Sequence, residues 1–137
     1  MIRRFATFAL ASLLAGCVVA TFGSGWQERS LARRAAGARI TLQTQRTGVD
    51  GELLAVRDSA FLVLGDGERV VLVPYRAILG GEVEDLGKRF ITAGGIPSAG
   101  ARERLRLISR FPQGVSPELL PELLLAYGQS ELAVVRP

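Results

Sequence analysis

The chain has 137 residues, 48% of them hydrophobic and 22% charged, with a formal net charge of +4, which is the composition of one ordinary globular domain and not of a disordered or polytopic membrane chain. Histidine is absent and Cys17 is the single cysteine, so histidine-based acid/base chemistry, Cys–His nucleophiles, His/Cys zinc sites and intrachain disulfides are excluded by counting. Arg3 and Arg4 lie in the first four positions and removing them leaves +2, too little for a nucleic-acid footprint.

Met1-Ile-Arg-Arg4 is a short basic segment, Phe5 to Leu14 is an apolar run, and the small residues Ala15 and Gly16 follow. This is the three-part layout of a secretory signal. Leu14-Ala15-Gly16-Cys17 resembles the lipobox of bacterial lipoprotein signal peptides. The resemblance implies cleavage before Cys17, a diacylglycerol on its sulfur and an acyl group on its amine, which meets the need for more than one acyl chain in stable membrane attachment. In that family Asp directly after the cysteine favours inner-membrane retention; Val18 stands there, which favours the outer membrane. The alternative is a single-span inner-membrane anchor, because Phe5 to Phe22 is 18 residues long and apolar apart from Thr and Ser, with Arg3 and Arg4 holding its start in the cytoplasm. Both place the remainder of the chain on the far side of the inner membrane, facing the periplasm or exterior; a cytoplasmic protein with a buried N-terminal helix is the third arrangement.

The expected organisation is a signal peptide over 1–16, a lipidated tether with a short helix over 17–37, a small β-barrel over 38–91, and a loop, two helices and a terminal strand packed on the barrel over 92–137. Gly23-Ser-Gly25 is a spacer, and Trp26 to Ala36 carries good helix formers up to Gly37. Arg29, Arg33 and Arg34 read as part of a solvated tether in preference to a headgroup contact. Four short strands follow, around Ile40/Leu42/Thr44, Leu53 to Val56, Phe61 to Leu64 and Val70 to Val73, with turns at Gly48 to Gly51, Arg57 to Ser59 and Gly65 to Glu68; a fifth strand includes Gly81 to Glu84.

This stretch resembles the five-stranded barrels of the Sm-like and SH3-like type through Gly51-x-Leu53, the Asp58 turn, Leu62-Val63-Leu64 and the run Val70 to Ile78. The fold expected is therefore mainly β with α (α+β): a small five-stranded antiparallel barrel, then a C-terminal helical hairpin and a short terminal strand. RNA-binding Sm-like proteins place Asn beside the Leu-Val-Leu run, where this chain has Phe61, and Tyr75-Arg76-Ala77 replaces the later Arg-Gly pair. Nucleic acid is accordingly not an expected partner, and a nucleic-acid-binding barrel ranks third among the functional readings.

Gly95-x-x-x-x-Gly100 has phosphate-loop glycine spacing, but Ala101-Arg102 stands where Lys and Ser/Thr are needed, so the segment is read as a linker. A helix is predicted over Ala101 to Phe111, stopping at Pro112-Gln-Gly114, and a second starts at Ser116-Pro117-Glu118, contains Pro121 one turn inside and ends near Tyr127-Gly128. Leu132 to Val135 is a terminal strand.

Arg102, Arg106 and Arg110 recur every fourth residue and are the candidate contacts for an anionic ligand; the plainer reading is a solvated face paired with Glu82, Glu84 or Asp85. Those three carboxylates lack the spacing of a calcium loop, so no metal site is assigned. No serine has a histidine partner, and with Lys88 the only lysine there is no Ser-x-x-Lys motif. The leading expectation is a non-catalytic lipoprotein of the cell envelope, without cofactor, acting through Cys17 as a membrane-tethered scaffold or adaptor for an envelope protein. Its alternative is a binding module for phospholipid or lipopolysaccharide phosphates through the arginine-lined helix.

Overall fold

The computed structural model describes residues 27–91 and 96–137. The leader, the lipobox and Cys17 lie outside the described residues, as does the start of the tether. The described chain forms a helical turn, α1 (residues 27–32), then the strands β1 (Arg39–Thr44), β2 (Gly48–Val56), β3 (Ala60–Gly65) and β4 (Arg69–Pro74). A 3-10 turn at Tyr75–Ala77 leads into β5 (Ile78–Val83), followed by the helix α2 (Ala99–Leu107), a 3-10 turn at Pro117–Leu119, the helix α3 (Leu120–Ala126) and the two-residue β6 (Ala133–Val134).

The strands make one sheet in the order β5-β1-β2-β3-β4-β6. Every pairing is antiparallel except β4 with β6, which is parallel. The expected five-stranded barrel is not formed: the sheet is open and mixed, with six strands. The C-terminal segment holds the outer edge of β4, while β5 stays at the far end beside β1. The amide of Gln129 begins this cover, its Oε1 accepting from Val70 N at 2.6 Å and its Nε2 donating to Val70 O at 3.0 Å, as a neighbouring strand would. Val135 N then donates to Leu72 O at 2.9 Å.

Burial follows the sequence pattern strand by strand. Along β1, Ile40 and Leu42 are buried and Arg39, Thr41 and Gln43 exposed, the alternation of a strand with one dry face. In β3 and β4 the apolar runs are continuous because both faces are covered. Phe61, Val63 and Val73 join Ile40, Leu42, Leu31 of α1 and Leu105 of α2 in the larger core. Leu62 and Val70 turn the other way into a second core, closed by Leu120, Leu123 and Leu124 of α3 and by Tyr127.

The two cores meet at an irregularity in β2. Its register against β3 shifts between Leu53 and Ala55, so Leu53 and Val56 enter the larger core while Leu54 and Ala55 enter the second. An extra residue in one strand lets four successive apolar residues serve two faces. Gly48 to Gly51, expected as a turn, is the first part of this strand, paired with Leu42 to Gln43 and Ile40 to Thr41 of β1. Gly51 is needed for close approach: a Cβ there would run into the Leu64 carbonyl and lie 2.8 Å from Gly65 Cα, both backbone atoms that cannot swing aside. Gly51→Ala is expected to destabilise the chain by about 3 kcal/mol or more. Urea denaturation followed by circular dichroism measures this, and a loss below about 1 kcal/mol would contradict the close approach.

Candidate functional site

Helix α2 is shorter than the spacing of its arginines requires. Ser98 caps it, its Oγ accepting from Ala101 N at 3.1 Å, and the last helical residue is Leu107. Arg102 and Arg106 are therefore one helical turn apart on α2, whereas Arg110 lies beyond it. Arg102 Nη1 donates to the Asp58 carbonyl at 3.2 Å, docking α2 on the β2–β3 turn. Arg106 pairs with Glu103 at 2.9 Å, and Arg104 lies 6.0 Å over the Phe90 ring and 3.7 Å from Glu28.

Arg110 is engaged in the interior edge of the fold. Its Nε donates to Glu52 Oε1 at 2.8 Å and its Nη2 to Glu52 Oε2 at 2.6 Å, a two-point fork. Gly37 N donates to Glu52 Oε1 at 2.8 Å. The Glu52 carboxylate holds the Arg110 guanidinium above its ordinary proton affinity. Of the partners expected for the arginine face, Glu84 serves elsewhere, accepting from Arg34 at 3.1 and 2.7 Å and from Arg39 N at 3.0 Å.

The described residues bring together no group of three or more metal-ligating side chains. Tyr75, buried at the edge of β4, donates its hydroxyl to the Arg57 carbonyl at 2.5 Å; burial pushes its pKa up to about 12, against the opposing pull of Arg102. It therefore stays protonated and bonded, a fastening for the 3-10 turn. A hollow of about 520 Å3 on β1 and β5 is lined by Thr41, Gln43, Glu82 and Lys88 together with the apolar Leu79 and Ile91.

A more apolar groove, also about 520 Å3, lies past the end of α3 on the face of the second core. Ala60, Leu72 and Pro74 form its floor, Tyr75 and Arg76 of the 3-10 turn one wall and Val134 of β6 another. Its apolar surface is open to solvent: Val134 is 53% exposed and Ile96, at its rim, 71%. Arg102 reaches its end through the Asp58 carbonyl, so one of the three sequence-predicted arginines stands at this groove, while Arg106 lies one turn along α2 and Arg110 serves the fold. The groove residues were not singled out from sequence as a site. Their signal was the break of an apolar run at Pro74-Tyr75-Arg76, and β6, which supplies the other wall, comes from sixty residues further on.

The Arg34–Glu84 pair sets an acid limit on the fold. Hydrogen bonds from Arg34 and from Arg39 N hold the Glu84 carboxyl below its usual range. Its stabilisation is thus fully present above the unfolded carboxylate pKa of about 4.3 and is lost as the pH falls through the lower folded value. The pair is partly solvated, at 43% and 33% exposure, so its worth near neutral pH is under about 1 kcal/mol. In Glu84→Gln, stability measured by urea unfolding is expected to fall less steeply between pH 5 and pH 3 than in the parent chain, about where carboxylates titrate. Equal slopes would contradict the assignment. A comparison with protein-family models, curated proteins and solved structures finds no match to this chain.

Proposed function

We propose that the chain is a non-catalytic, exported lipoprotein of the cell envelope, anchored through acylated Cys17, whose folded part is an adaptor that docks a partner protein in the groove between the 3-10 turn and β6. The observation that carries the adaptor reading is the groove itself: a solvent-open apolar floor of Leu72 and Pro74 beside exposed Val134, with guanidinium groups at its ends. Apolar concavities of this kind, rimmed by polar groups, are where soluble domains meet partners.

The anchor half of the proposal rests on Leu14-Ala15-Gly16-Cys17 and the basic-apolar leader before it. Among the described residues no helix is long and apolar enough to cross a membrane. The alternative reading, an arginine-lined helix for anionic envelope ligands, draws less support because Arg106 and Arg110 already hold carboxylates.

Metabolic labelling with a radioactive or alkyne-bearing palmitate tests the anchor. Label is expected in the parent chain and absent from Cys17→Ser, with the substituted protein migrating differently on electrophoresis and leaving the membrane fraction. No label in the parent chain, or retention of Cys17→Ser in the membrane, would overturn the lipoprotein reading in favour of the single-span anchor.

A further inference from the structure

We propose that the folded part lies on an anionic phospholipid surface, that of the bilayer holding its anchor, with the layer made by α1, residues 84–91 and α2 against the headgroups. The inference rests on the anchor reading and adds how the anchored domain is oriented.

Charge is divided between the two faces of the sheet. Leu31 of α1, Leu86, Phe90 and Leu105 of α2 all enter the larger core, so the segments that carry them cover that side. Residues 27–34, 84–91 and 99–107 together hold eight basic and four acidic residues, whereas residues 112–137, which supply the cover of the second core, hold one basic and three acidic. Adding Glu82 and Asp58, which border the first layer beside Lys88 and Arg102, leaves it positive. An anionic surface therefore attracts one face and repels the other.

The acids within the basic layer leave its guanidiniums at the surface. Glu28 lies 3.6 Å from Arg89 and 3.7 Å from Arg104; its side chain is 22% exposed and theirs are 45% and 57%. Glu84 is held by Arg34, which Asp85 also draws on, and Glu103 by Arg106. Arg29 on α1 and Arg33 directly after it are exposed and form no ion pair among the described residues. Residues 1–26 and 92–95 contain no Asp or Glu that could supply one. Phosphate oxygens suit guanidiniums of this kind.

The same side offers apolar groups to the boundary between headgroups and acyl chains. Phe111, 69% exposed, donates its N–H to Ala35 O at 3.1 Å and so stands beside the segment that follows α1. Leu107, the last residue of α2, is 46% exposed. Apolar side chains among arginines are the composition of an interfacial surface. Leu119 and Leu125 are exposed too, but their segment carries Glu118 and Glu122.

The tether is short enough to hold this orientation. Gln27 is ten residues after Cys17, a reach of at most about 35 Å, which is about the width of a domain of this size. The chain enters the fold at α1, inside the basic layer, so that layer needs no detour to meet the bilayer. The groove on the second-core face then opens away from the lipid, toward a partner.

The test reconstitutes the full-length protein in vesicles of phosphatidylcholine, with or without about a third phosphatidylglycerol, and places a fluorescent amino acid at Phe111 or, separately, at Leu125. With a quencher on the lipid headgroups, the probe at 111 is expected to be quenched at least about threefold more than the probe at 125, in the anionic vesicles only. Arg29→Glu with Arg33→Glu, or salt raised to about 0.5 M, should remove most of that difference while the protein still floats with the vesicles. The salt arm does not depend on any variant folding. Equal quenching at the two positions, or the same difference in neutral vesicles, overturns the orientation. A response at 111 in native membranes but not in lipid vesicles also overturns it and assigns this face to a protein. Protein that does not float with the vesicles removes the anchor reading together with this inference, whereas floating protein with no preference for 111 removes the orientation alone.

Discussion

The fold depends on one junction, where the connector after α2 passes the bulge of β2 to reach the other side of the sheet. β1 pairs with β2 only as far as Glu52, leaving the backbone of Leu53 and Leu54 without a strand on that side. The gap is filled by three segments at once. Leu53 N donates to Ala38 O at 2.9 Å, Arg110 N to Leu53 O at 3.0 Å, and Val115 N to Leu54 O at 2.9 Å. Arg110 then forks onto Glu52 while Gly37 N completes the same carboxylate. A side chain at Gly37 would strike the Leu53 carbonyl and lie 2.8 Å from Arg110 N, so the approach needs glycine. Because an unpaired backbone group in a dry interior is costly, closing this gap is a condition for having two cores on one small sheet.

The junction also decides which arginines remain for function. A guanidinium bound at two points by a half-buried carboxylate is part of the architecture, and the same holds more weakly for Arg34 on Glu84 and for Arg106 on Glu103. What is left for recognition is a groove whose floor extends the second core beyond the reach of α3. Its wall, β6, belongs to the segment that covers β4, so the surface for a partner and the closure of the sheet are made by the same residues.

Local structure was legible in this chain to the extent that it is local. The alternation of Ile40 and Leu42, the double-sided runs of β3 and β4, the Ser116-Pro117 start and the stop at Tyr127-Gly128 all carry their signals within a few residues. The misread features are long-range. Closure of a barrel depends on which strand takes the free edge of β4, and a two-residue strand helped by the Gln129 amide has almost no pattern of its own. The arginine row failed as a helix face because α2 ends three residues before Arg110, where the backbone N–H is claimed by Leu53 rather than by the helix. Gly48 and Gly51 looked like turn residues because their strand role is set by the neighbouring backbone, not by their own preference.

A double-mutant cycle on Arg110→Ala and Glu52→Gln, read by urea unfolding of the parent, the two single variants and the double variant, tests the junction most directly. A two-point fork that is only partly solvated is expected to give a coupling energy of about 1–3 kcal/mol, with either single change costing nearly as much as both. Additive losses, with coupling under about 0.3 kcal/mol, would show that Arg110 and Glu52 do not hold the two cores together.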